Sequence, residues 1–122
     1  MLNEEQRESL RNKTVDVLLA MRAAYLRTSR PNVLRHWDML QDRMRAAART
    51  TSSPEEWVTE TSRRWQLGSP NSDCSAALRS LADEVRERGA SREWLDLVEA
   101  EYGYLMAMAR SIAEQRKESL DV

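Results

Sequence analysis

Phenylalanine is absent from this 122-residue chain, glycine and proline occur three times each, and cysteine and histidine once each. The lone Cys74 excludes an intramolecular disulfide and suits a reducing compartment. It lies 38 positions from His36, so the two give no zinc-ligand spacing. Nothing around His36 resembles a nucleophile elbow. Gly68, Gly89 and Gly103 are isolated, which excludes a glycine-rich phosphate loop. Carboxylate pairs occur at Asp96 and Glu99 and at Glu99 and Glu101. No inward Glu-x-x-His accompanies them, so a di-iron bundle is excluded. No apolar run approaches the roughly 20 residues of a membrane span. The acidic start, Met1 to Glu5, lacks the apolar stretch of a secretory signal. These absences predict a cytoplasmic chain that is not an enzyme, with no catalytic residues, metal or cofactor and no membrane partner.

What remains is rich in Ala, Leu, Arg and Glu, all strong helix formers. The expected fold class is all-α: one domain over 1–122, a compact bundle of about five helices with a long C-terminal helix. The first helix is expected over about 4–27, with Leu10, Thr14, Val17, Leu18, Met21 and Tyr25 as its core stripe. Val15, Leu19 and Leu26 widen that stripe past a normal amphipathic arc. Such a helix is central, or covered by a partner.

Pro31 marks a break, after which a second helix runs to about 49. Its inward positions are Val33, Trp37, Leu40, Met44 and Ala47. Ser53, Pro54 and Glu56 form the start signal of a third helix over about 54–66, with Trp57, Val58, Thr61 and Trp65 inward. Residues 67–73 read as a loop, and Ser72 or Asp73 is expected to cap a fourth helix on which Cys74, Leu78, Leu81 and Val85 face the core. Gly89 is its stop. Ser91 is expected to cap a fifth helix reaching about 117. Trp94, Val98, Tyr102, Leu105, Ala109 and Ile112 make one stripe on it, and Leu97, Tyr104 and Met108 a second. Two stripes imply burial on two sides, within the bundle or against another chain.

The functional lead is a concentration of charge. Residues 22–50 hold seven arginines against two aspartates, a net of +5 in a chain whose total is −1. The stretch "RTSRPNVLRHWDMLQDRMRAAAR" at 27–49 contains six of them and no lysine. Local i+3 pairing is expected to join Asp42 to Arg45 and Asp38 to Arg35, leaving Arg22, Arg27, Arg30, Arg43 and Arg49 without local partners. A guanidinium fork fits phosphates and carboxylates alike, so three destinations are open: solvent, nucleic-acid backbone, or an acidic protein. A phosphate-binding face would be blind to sequence and sensitive to salt. The candidate nucleic-acid contacts are Arg22, Arg27, Arg30, Arg35, Arg43, Arg45 and Arg49, with RNA or DNA as partner.

The C-terminal third is acidic, and Glu93, Asp96, Glu99 and Glu101 cluster at the start of the last helix. With Tyr104 and Met108 they form a candidate protein interface, through which copies could associate head to tail, acidic end against basic helix.

Chain length, five helices, the strip Arg22–Arg49 and the closing "EAEYGYLMAMAR" at 99–110 together resemble the small helical subunit of CRISPR effector complexes. The resemblance is architectural and spans the whole chain. It implies a non-catalytic subunit of a cytoplasmic ribonucleoprotein in antiviral defence, present in several copies. Such a subunit touches neighbouring protein subunits and steadies nucleic acid with basic residues. The other expected class is a protein-interaction module, an inhibitor or adaptor such as an anti-CRISPR protein, that docks on an acidic surface.

Overall fold

The computed structural model of the chain describes residues 1–26, 33–62 and 74–120, with side chains apart from those at 33–40, 62 and 117–120. The described residues form five helices and no strand: α1 (Glu4–Leu26), α2 (Val33–Thr50), α3 (Pro54–Ser62), α4 (Ser75–Glu87) and α5 (Ser91–Leu120). Among them no helix is long and apolar enough to cross a membrane. The expectations at Arg27, Arg30 and Pro31, the extension of the third helix through Trp65, and the loop 67–73 with its caps fall outside the described residues.

Helix ends follow local chemistry. Asn3 Oδ1 accepts from the Gln6 amide at 2.8 Å, and Gln6 Oε1 accepts from the Asn3 amide at 3.0 Å, a reciprocal cap for α1. Ser53 Oγ caps α3 by accepting from the Glu56 amide at 3.1 Å. The Glu56 carboxylate closes on Ser52, one residue earlier than the capping box expects, accepting from its amide and its hydroxyl. Helix α4 starts after Cys74, which offers no side-chain cap. Its far end is a Schellman turn. The Ala90 amide donates to the Val85 carbonyl and Gly89 to Arg86, with Gly89 at φ +58°. Ala90 and Val85 are both buried there. The Trp94 amide then donates to Ala90, so α5 opens at Ser91 as its first turn, with Ala90 in the capping position expected for Ser91.

Cross-chain contacts set the directions. Arg11 meets Glu101 near the start of both α1 and α5, and Ala23 and Ala113 share a groove further along, so these helices run parallel. Arg49 meets Glu99, and Met44 lies with Met106, so α2 runs against α5. Helix α4 packs on α1 in the opposite sense, since Ser9 near the start of α1 bonds Glu84 near the end of α4. The short α3 bridges α2 and α4.

The core is the meeting of these stripes. Leu10, Thr14, Val17, Leu18, Met21 and Tyr25 of α1 are all buried, as their spacing predicts. Trp57 and Trp94 stand edge to face, 5.5 Å between centroids and 89° between planes. Each indole N–H finds an acceptor: Trp57 Nε1 donates to the Met44 carbonyl at 2.8 Å, and Trp94 Nε1 to Thr14 Oγ1 at 2.9 Å. The Thr14 hydroxyl donates onward to the Leu10 carbonyl at 2.6 Å. One hydrogen bond thus ties α3 to α2 and a short thread ties α5 to α1, the two meet where the indoles stack edge to face, and neither tryptophan is left unsatisfied.

The second stripe of α5 differs from expectation. Leu97 is buried and Met108 half-buried, but Tyr104 is 58% exposed. Burial on the other flank is supplied by Leu95 and Met106, at 1% and 6% exposure. The reason is α2, which covers that flank and turns the Tyr104 side outward.

Candidate anion-binding face

Helix α2 presents its arginines on two sides of a buried strip made by Met44, Ala47 and Ala48. Arg45 and Arg49, one turn apart, are exposed and lean toward α5. Arg43 emerges on the opposite flank, half-buried.

The two exposed arginines are already engaged. Arg49 Nε donates to Glu99 Oε1 at 2.6 Å. The Arg45 guanidinium sits over the Tyr102 ring, 4.8 Å from its centroid. The expected Asp42–Arg45 pair therefore does not form among the described residues, because the ring on α5 outcompetes an exposed i+3 carboxylate. Arg92 adds a further cation at the end of α2, within 3.5 Å of the Ala48 carbonyl and 2.8 Å from Asp96. Arg43 and Arg22 meet no carboxylate among the described residues.

Arg22 is set apart from α2. It lines a groove of about 450 Å³ between α1 and α5, together with Asp16, Leu19, Ala20, Ala23, Leu26, Ala113 and Arg116. The seven candidate arginines thus divide. Arg43, Arg45 and Arg49 share α2, Arg22 faces the groove, and the side chains of Arg27, Arg30 and Arg35 lie outside the described set.

The acidic cluster is also matched inside the chain. Glu93 Oε2 accepts from the Leu2 amide at 3.0 Å, Asp96 pairs with Arg92, and Glu99 with Arg49. Glu101 pairs with Arg11 at 3.1 Å. Arg11 is the hub, since it also bonds Glu4 at 2.9 Å and Glu8 at 3.1 Å. Those bonds hold its guanidinium above the ordinary arginine range and hold Glu4 below the ordinary carboxylate range. The basic helix and the acidic helix start are therefore neighbours in one molecule, where the head-to-tail expectation had them meeting between copies.

A second cluster sits on the opposite side of α1. Glu84 is buried, accepts from Ser9 Oγ at 2.8 Å and pairs with Lys13 at 3.0 Å and Arg88 at 3.6 Å. Burial pushes its carboxyl up, but the bonds from Lys13 and Ser9 outweigh that and leave its pKa below the ordinary value. No group of three His, Cys, Asp or Glu residues is placed to hold a metal among the described residues. Cys74 is buried among apolar neighbours.

No family model, no curated protein and no solved structure matches this chain.

Proposed function

We propose that this chain is a non-catalytic helical subunit of a ribonucleoprotein, CRISPR-effector-like, that meets nucleic-acid backbone through the arginines of α2 and its approach. The observation that carries the reading is Arg43, Arg45 and Arg49 ranged along one helix in a segment of net charge +5, with Arg45 and Arg49 exposed. Arg22, Arg27, Arg30 and Arg35 extend the set. The contact is with phosphate, indifferent to base identity, and weakens as salt rises. Neighbouring protein subunits are its other partners. Head-to-tail copies would exchange the Arg49–Glu99 type of pair for the same pair between molecules.

Fluorescence anisotropy against single-stranded and duplex oligonucleotides at two salt concentrations tests the reading. Binding at low salt that falls when Arg43→Glu is combined with Arg49→Glu supports it. No binding at low salt, together with no RNA retained on purification, defeats it.

A second reading is favoured by the Arg49–Glu99 bond: a protein-interaction module, inhibitor or adaptor, whose guanidiniums pair with carboxylates. It predicts a protein complex that survives nuclease treatment.

A further inference from the structure

We infer that the groove between the second half of α1 and the end of α5 receives an amphipathic helix of a partner protein, acidic in its first turn. The argument begins with the excess of apolar residues on α1. Its core stripe is fully buried, yet Leu19, Ala23 and Leu26 recur at i, i+4 and i+7 on another side, where Leu19 and Leu26 are half-buried and Ala23 is exposed. That spacing is the pattern of a helix-contact seam. Val15, which the sequence groups with them, is buried and belongs to the core.

The floor is small-residued. Ala20 and Ala23 from α1 and Ala113 from α5 leave room for a backbone to approach, with Leu19 and Leu26 as walls. Two parallel helices side by side form a trough that a third fills by ordinary helix packing. From Asp16 to Leu26 is roughly 15 Å along α1, about three turns of an incoming helix.

Charge selects the occupant. Arg22 and Arg116 flank the groove, and neither meets a carboxylate among the described residues. Asp16 stands at the other end. A helix with carboxylates in its first turn and a lysine in its last fits this order when it runs antiparallel to α1 and α5. Its dipole then opposes theirs, and its positive end lies beside their negative ends. An apolar floor is poorly matched to phosphate, so this surface is distinct from the α2 face apart from Arg22, the one residue both readings use. Arg43→Glu with Arg49→Glu, which leaves the groove lining intact, tells failure of one proposal from failure of the other.

The probe is a synthetic alanine-based helix of about 14 residues with leucines at i, i+4 and i+7. One version has glutamates first and lysine last, and the other reverses the charges. Anisotropy reads binding, and circular dichroism reads helix gained. The glutamate-first peptide is expected to bind, and Arg22→Glu with Arg116→Glu to weaken it at least about tenfold. The lysine-first peptide is expected to bind that doubly reversed variant instead. Ala23→Arg, at an exposed position, blocks both while the melting temperature stays unchanged. Equal binding of the two peptides, or none, overturns the inference. So does displacement of the peptide by single-stranded RNA. Sedimentation showing that the chain dimerises and that Ala23→Arg dissolves the dimer also overturns it, since the occupant would then be a second copy.

Discussion

Arg49 on α2 and Glu99 on α5 lie 50 positions apart in sequence and 2.6 Å apart in space. The bond joins the most basic of the described helices to the start of the chain's acidic third. A guanidinium held this way is oriented, but its charge is half answered before any outside anion arrives. Arg49 is 59% exposed and Glu99 32%, so the pair contributes only about 0.2–1 kcal/mol to stability. Its larger consequence is for binding.

Glu99→Gln removes the competing carboxylate and keeps the side chain's shape. On the proposed reading, affinity for single-stranded oligonucleotide is expected to rise about two- to fivefold at low salt, corresponding to less than 1 kcal/mol. The slope of log affinity against log salt steepens by less than one phosphate contact. The melting temperature is expected to move little. Anisotropy at several salt concentrations checks the first two, and thermal denaturation the third. A fall in affinity would place Glu99 on the binding side of the pair.

The thread Trp94–Thr14–Leu10 predicts a coupled pair of mutations. Thr14→Val keeps volume but strands the Trp94 N–H in a dry core, costing about 1–3 kcal/mol. Trp94→Phe removes that donor but also opens a gap beside Trp57 and costs about as much. The double variant is expected to lose less than the two single losses added, by about 0.5–2 kcal/mol, because the stranded donor is gone. Urea denaturation of the four proteins measures the coupling. Strict additivity would mean that the bond contributes nothing.

Most of the fold was legible because helix formation is local. The stripe on α1, the Ser53 start and the Gly89 stop each depend on residues within about one turn. The site was less legible because charge pairing is not local. Neighbour rules joined Asp42 to Arg45, whereas Arg45 turns to Tyr102, 57 positions on. Its place in an acidic cluster points Glu101 toward another chain, whereas Arg11, 90 positions back, holds it. No spacing rule reaches across helices that pack only after folding. The breadth of apolar residues on α1 was visible in advance, but the sequence alone did not separate Val15, which joins the core, from Leu19 and Leu26, which line the groove.

Gly89 offers a test of backbone strain without steric complication. Its φ is +58°, a conformation that costs an L residue about 1–2 kcal/mol, and a Cβ built there meets nothing within 4 Å. Gly89→Ala is therefore expected to lower stability by about 1 kcal/mol and leave the Schellman bonds intact. Asn, which tolerates the left-handed region, is expected to cost less than Ala. A neutral Gly89→Ala would mean that the turn can relax out of positive φ.

Acid stability follows from Glu84. Its carboxyl has a folded-state pKa below the ordinary value of 4.5. A group depressed on folding stabilises the native state above its unfolded pKa and loses that contribution as pH falls through the folded one. The Lys13 and Ser9 bonds should therefore stabilise fully at pH 6–7 and fade once pH drops below about 4.5. Glu84→Gln keeps an acceptor for Ser9 but not the charge opposite Lys13. It is expected to cost about 1–2 kcal/mol at pH 7, and less at pH 3. Lys13 is one-third exposed and can turn to water, which keeps the loss below that of a fully buried pair. Urea midpoints for both proteins between pH 3 and 7 supply the comparison. The wild type should lose its advantage in the acid range, and parallel curves would show that Glu84 is held by packing alone.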